Sequence, residues 1–231
     1  MTPAHHYQWL LFDADGTLFD YDLAEAKALQ AAFQDFQLPF SPTTADQYRV
    51  INHQIWQDFE HGLITSAALR TTRFERLFEA VQVRADAGQF STRYLVHLAS
   101  ASDLMPGAEA VLSQLKNSYR LAIITNGLKD VQYPRLSGSP IGLWFEVVAV
   151  SEEVGAAKPD PAFFDAVFER MGRPPRESAL VIGDSLTSDI QGGIRYDLDT
   201  CWFNPLEKAP DPLIQPTYQI AHLSDLLTLL F

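Results

Sequence analysis

The chain reads as an α/β protein, a parallel-sheet, Rossmann-like core interrupted by an inserted helical segment. Short apolar runs of strand length recur near 7–13, 121–126, 147–151, 180–183 and 200–203. Stretches with apolar residues at helical spacing lie near 107–117, 128–137, 161–171 and 188–197, which is the alternation that parallel βα units require. Residues from about 20 to 103 break the rhythm. They contain no convincing strand, and apolar residues recur at helical intervals, as at Leu23, Ala26, Leu29, Ala32, Phe33 and Phe36.

The first strand is the run Trp9-Leu10-Leu11-Phe12, followed directly by Asp13-Ala14-Asp15-Gly16-Thr17-Leu18. Carboxylates two apart on a strand face the same way, and Gly16 lets the chain break away sharply. An aspartate presented at a strand end can attack phosphorus while a second carboxyl group moves the leaving-group proton. The like charges then need a cation to hold them together. That pattern makes Asp13 and Asp15 candidates for these two roles.

The segment 20–103 reads as a helical cap inserted into a core formed by residues 1–19 and 104–231. Two crossings join them, one after Leu18 and one before Met105-Pro106-Gly107, and hinges of this kind can open and close over a site. Within the cap, Asp46 to Thr65 mixes aromatics, amides and His in one amphipathic helix and turn. Its aromatics are expected to pack the cap core in the main, with Asn52 and Trp56 the residues to test for recognition of a base. His53, His61 and His97 are expected to be solvated or to pack, and His5 and His6 carry no role.

The second core strand, Leu121-Ala122-Ile123-Ile124, delivers a hydroxyl and an amide, Thr125 and Asn126, with Gly127 beginning the turn; both can hydrogen-bond a phosphate. Beyond Val147-Val148-Ala149-Val150 comes Lys158, the positive charge an anionic phosphoryl group would want nearby. Trp144-Phe145 ahead of that strand is expected to pack the core. Leu180-Val181-Ile182 runs into Gly183-Asp184-Ser185, with Asp189 five residues after Asp184. Hard oxygen ligands in that number suit magnesium. Each motif alone has an ordinary reading: a solvated turn for Asp13 to Gly16, a helix start at Lys158-Pro159-Asp160, an N-cap at Asp184-Ser185. Four of them at successive apolar strand ends point to one site.

These segments, Asp13 to Leu18, Thr125 to Gly127, Lys158-Pro159 and Gly183 to Asp189, resemble the four motifs of the haloacid dehalogenase-like hydrolase superfamily over nearly the whole chain. The resemblance implies an aspartyl-phosphate on Asp13, proton transfer by Asp15, and phosphoryl oxygens held by Thr125 and Lys158. It implies magnesium on Asp13, the Asp15 carbonyl and Asp184, with Asp189 one step back, orienting waters or the lysine. It also implies a first strand lying between the strands that end in Thr125 and Asp184, with the cap supplying the leaving-group pocket. Dehalogenases proper usually lack an acid at the Asp15 position, so Asp15 favours phosphoryl transfer. The cap segment, with Phe12 to Asp15, Ile123 to Gly127 and Ser151 to Gly155, further resembles bacterial pyrimidine 5′-nucleotidases that hydrolyse dUMP, UMP and dTMP. The chain departs from that subgroup at Gly16, where a glutamate is common, and at Pro134 and Pro140, which are expected to interrupt the helix after Gly127.

Composition bounds the partners. At 231 residues with 47% hydrophobic content the chain can bury one large core and an accessory domain. Its 17 basic against 29 acidic residues give a net charge of −12, which disfavours nucleic acid polymers and anionic membranes. The substrate is expected to be a small phosphate monoester, a pyrimidine nucleoside monophosphate first. The alternatives are a small-metabolite phosphatase or phosphomutase, acting for example on phosphoglycolate or a sugar phosphate, and, more remotely, a non-catalytic phospho-accepting protein. Cys201 reads as a small hydrophobe in a strand. With no signal-like stretch and no span of 18 apolar residues, cytoplasmic residence is expected.

Overall fold

The computed structural model describes residues 7–231, so His5 and His6 lie outside it. Its sheet has six parallel strands in the order β3-β2-β1-β4-β5-β6. The strands are β1 (Trp9–Phe12), β2 (Arg120–Thr125), β3 (Val147–Val150), β4 (Ala179–Gly183), β5 (Asp199–Phe203) and β6 (Tyr218–Ile220). β1 lies between β2 and β4, and the strand ends carrying Thr125 and Gly183 therefore flank Asp13.

Alternation along β1 sends its side chains to the two faces of the sheet. Leu10 and Phe12 join a core with helices α5 (Ala108–Leu115) and α10 (Asp225–Leu230), while Trp9 and Leu11 join one with Phe163, Phe164 and Val167 of α8 (Pro161–Arg170). A strand buried on both faces needs the unbroken apolar run this one has. α8 starts where Asp160 accepts a hydrogen bond from the Ala162 amide at 2.9 Å, with Pro161 at its first position. Cys201 is buried in the core that holds α5 and α10, and its thiol is pushed up to about 12 by burial and by Asp225.

The chain separates into two compact units: residues 22–101 with 130–135, and the remainder. The first is helical, comprising α1 (Tyr21–Asp35), α2 (Pro42–Glu60), α3 (Ser66–Ala80) and α4 (Ala87–Ser100). Ser41, Thr65 and Asp86 cap the last three, each accepting from the amide three residues on. Its centre is aromatic: Phe74 lies 5.0 Å from Phe90 and 5.5 Å from Tyr48, and Phe33 lies 5.2 Å from Phe90. No helix among the described residues is long and apolar enough to cross a membrane.

The structure differs from sequence expectation in four places. The buried face of α1 is Ala24, Glu25, Ala28, Leu29, Ala32 and Phe33, so Leu23 faces solvent and a carboxylate faces inward. Pro134 does not interrupt the helix after Gly127; it lies inside α6 (Lys129–Ser137), and Pro140 follows the helix. The stretch near 188–197 opens as a π-helical turn, Leu186–Ile190, before α9 (Gln191–Arg195). β6 was not expected, since it has three residues and follows a proline-rich loop.

Candidate active site

All six strands run the same way, so the residues that follow β1, β2, β4 and β5 collect at one edge of the sheet, where open α/β folds bind ligands. The Asp13 amide donates to the Ile182 carbonyl at 2.9 Å, which extends the β1–β4 ladder one residue and fixes the base of the Asp13 side chain. Asp13 is 7% exposed.

Lys158 organises the site. Its ammonium is 1% exposed and donates to Asp13 Oδ1 at 2.6 Å, to Asp189 Oδ1 at 2.6 Å and to the Ile124 carbonyl at 2.7 Å. Those three bonds use all three ammonium protons. Burial alone would favour a neutral lysine, but Asp13 and Asp189 outweigh it and hold Lys158 protonated, above the ordinary lysine range. Asn126 fixes the backbone of Lys158 from β2, donating from Nδ2 to its carbonyl at 2.9 Å and accepting from its amide at 2.9 Å. The Asn126 side chain, expected on a phosphate, places the lysine through Oδ1 and one of its two Nδ2 protons. Thr125 Oγ1 accepts from the Gly127 amide at 2.9 Å, which shapes the turn and leaves the hydroxyl proton to donate.

The fourth strand end completes the cluster. Asp189 Oδ2 accepts from the Ser185 amide at 3.1 Å, and Asp189 is fully buried. A Cβ built on Gly183 would fall 2.2 Å from Asp189 Oδ2, so only glycine leaves room for that carboxylate. Gly16 sits at φ +82, and a Cβ there would lie 3.0 Å from the Asp184 carboxylate. The departure from glutamate at position 16 therefore suits both the left-handed backbone and the packing against Asp184. Asp15 does not owe its place to strand alternation. β1 ends at Phe12, and Asp15 belongs to a turn in which the Gly16 amide donates to the Phe19 carbonyl at 2.9 Å.

Carboxylate oxygens of Asp13, Asp184 and Asp189 lie within 4.8 Å of one another. Burial, followed by repulsion from Asp189 and Asp184, raises Asp13 well above the carboxylate range against the pull of Lys158. Burial and Asp189 likewise push Asp184 up to about 7, with Lys208 and Lys158 opposing. Three acids with a single ammonium in contact leave a surplus of negative charge, and the donors are hard oxygens. That is the chemistry a small divalent cation such as magnesium fits.

Asn52 and Trp56 lie on α2 in the helical unit. Asn52 is buried, donating to Glu25 Oε2 at 2.7 Å and accepting from Arg73 Nη1 at 3.3 Å. Trp56 is half-buried, its ring 5.8 Å from that of Phe59. Sequence reasoning missed Trp202 and Asn204 at the end of β5. Asn204 obeys the same rule that exposed the other positions, a polar residue directly after an apolar strand, and it holds the backbone of Lys208 through bonds of 2.9 and 3.0 Å.

Comparison with known proteins agrees with this geometry. Residues 7–197 match the haloacid dehalogenase-like hydrolase family. The chain is 40% identical to the HAD-hydrolase-type protein YfnB of Bacillus subtilis over 97% of this chain and 95% of that one. A crystal structure of YfnB bound to magnesium superposes with a TM-score of 0.92, covering 97% of this chain and 98% of that one. Identity is 35% to the pyrimidine 5′-nucleotidase YjjG of Escherichia coli, over 97% of this chain and 98% of the relative. It is 36% to the pyrimidine 5′-nucleotidase PynA of Streptococcus pneumoniae, over 96% and 94% respectively. The chain belongs to the haloacid dehalogenase-like hydrolases, as a phosphatase of that family.

Proposed function

We propose that this chain is a magnesium-dependent phosphomonoesterase that works through an aspartyl-phosphate and acts on pyrimidine nucleoside 5′-monophosphates. The observation that carries the catalytic part is the buried pair of Lys158 and Asp13, with Asp184 and Asp189 beside it. Asp13 and Asp184, with the Asp15 carbonyl, would hold the cation, which would supply charge neutralisation at the phosphoryl oxygens. Asp13 attacks phosphorus, and the bond to the leaving oxygen breaks as Asp15 gives that oxygen a proton. Asp15 then takes a proton from the water that attacks the phosphorus of the aspartyl-phosphate, releasing inorganic phosphate and restoring Asp13. Thr125 donates to a phosphoryl oxygen, while Asn126 and Asp189 keep Lys158 in place beside it.

Support for the nucleotide comes from near full-length similarity to two pyrimidine 5′-nucleotidases. We assign residues 20–103 as the cap and Trp56 as the residue that stacks the base. Asn52, whose amide is committed to Glu25 and Arg73, acts by holding that buried charge pair together. The same commitment favours a second reading, a small-metabolite phosphatase, because it occupies the amide that a base edge would need. A panel of dUMP, UMP, dTMP, CMP, AMP, phosphoglycolate and glucose phosphates, each with and without magnesium, separates the two. The nucleotidase reading expects the highest kcat/KM for the uracil and thymine nucleotides, and no turnover in chelator. If phosphoglycolate or a sugar phosphate exceeds every nucleotide, the substrate is wrong while the chemistry stands. Undiminished turnover in exhaustively chelated protein would remove the metal from the mechanism.

A further inference from the structure

β5 carries none of the residues assigned above, yet its Trp202 reaches the site. The indole is 1% exposed, and Nε1 donates to the Asp184 carbonyl at 3.0 Å. Ile190, Ile214 and Leu186 surround it in a small apolar cluster. Two of these, Leu186 and Ile190, bound the π-helical turn on which Asp189 sits.

An indole N–H in apolar surroundings must find an acceptor, and the acceptor here is one half of the peptide joining Asp184 to Ser185. The other half of the same peptide, the Ser185 amide, donates to Asp189 Oδ2 at 3.1 Å. Both polar groups of one peptide plane are therefore held from opposite partners, which removes its freedom to rotate. That matters because the carboxylates of Asp13, Asp184 and Asp189 are crowded together, and the Lys158 ammonium bonds the first and third but not Asp184. A freely pivoting peptide would let the Asp184 side chain swing away from its neighbours.

We propose that Trp202 is a positioning residue for the metal centre: its N–H locks the Asp184–Ser185 peptide so that the Asp184 carboxylate is aimed before magnesium binds. This rests on the reading of Asp184 as a magnesium ligand. Groups that orient metal ligands from behind commonly govern affinity by about tenfold or more when removed. Packing alone would explain the burial of Trp202 without any effect on affinity, and the two accounts part in experiment.

Titration calorimetry of magnesium into metal-free protein, paired with thermal melts, tests it. Trp202→Phe keeps an aromatic ring and loses the donor. Trp202→Leu removes the same donor should the first variant not fold. Ile214→Ala loosens the same cluster without touching the peptide. The expected result is a rise of about tenfold in the magnesium Kd for the Trp202 variant, and a Kd within about twofold of wild type for Ile214→Ala despite a lower Tm. A folded Trp202 variant with the wild-type Kd would overturn the proposal, as would an Ile214→Ala variant weakened equally. Wild-type protein that takes up no magnesium would overturn the metal reading itself, and this proposal with it.

Discussion

Each of the two compact units buries a network of charged and amide side chains, and the networks are built on opposite principles. In the helical unit the neutral amide of Asn52 stands between the Glu25 carboxylate and the Arg73 guanidinium, and Arg73 is sandwiched near Phe74 and Tyr94 at 5.0 and 5.1 Å. One negative and one positive charge meet through a group that donates to the first and accepts from the second. At the sheet edge three carboxylates cluster around one ammonium, and two of them, Asp13 and Asp184, are driven toward protonation. The first network pairs one charge of each sign; the second carries a surplus of carboxylate, which the proposed cation would offset. Burial of charge marks function only where the charges do not cancel.

The sharpest way to break this comparison is to remove one member from each side. Asp13→Asn should lower turnover by three or more orders of magnitude, because an amide is a poor nucleophile, while thermal melts show a folded protein. Retention of wild-type phosphate release would mean that no aspartyl-phosphate forms. Arg73→Met in the helical unit should do the reverse. It removes the positive charge that reaches the buried Glu25 through Asn52, at a cost of about 3–5 kcal/mol. That corresponds to roughly 10 °C in Tm for a chain of this size. Replacing Glu25, Asn52 and Arg73 together with apolar residues of similar volume should recover most of the loss. If the triple replacement is as unstable as Arg73→Met, the network is more than a balanced pair.

Asn126→Ala tests whether the amide places Lys158 or serves only the turn. The expected outcome is a drop in kcat of about tenfold or more with little change in fold, measured by steady-state phosphate release. A change confined to KM would return Asn126 to direct phosphate binding. Trp56→Ala should raise KM for pyrimidine nucleotides by about tenfold or more, the scale of about 1–3 kcal/mol available to an apolar contact, and leave p-nitrophenyl phosphate nearly untouched. Equal effects on both substrates would place Trp56 outside base recognition.

The smallest effect sits on the surface of the helical unit. Asp35 accepts from His97 at 2.8 Å and from Arg93 at 2.7 Å, and these partners, His97 first, hold its carboxyl below the usual range. A depressed folded-state value means that the stabilisation is present above the unfolded carboxylate value and is lost as pH falls through the folded one. Asp35→Asn should therefore lower Tm by roughly a degree or two near neutral pH, and the difference should close in acid. A gap that persists in acid would assign the effect to packing.

The candidate site was legible as a cluster because its residues break a local pattern. Asp13, Thr125 and Asp184 each interrupt or end an apolar run at a strand terminus, and parallel topology collects strand termini at one place. Glu25 was not legible: a carboxylate at helical spacing reads as solvent-facing, and partners such as Asn52, itself bonded to Arg73, come from other helices. The π-helical opening of residues 186–190 leaves no compositional trace, and β6 is too short for periodicity. The role of Trp202 depends on where one indole nitrogen points, which an apolar strand sequence conceals.

Gly183 carries a constraint that reaches beyond its own position. The space a methyl group would need there is filled by the carboxylate of a residue six positions downstream. Substitutions at 183 and 189 should therefore be strongly non-additive. A lineage that gained a side chain at the first site would have to shorten the second, and so give up one of the acceptors of Lys158. Sequence drift through this corner of the protein has to move two positions together or neither.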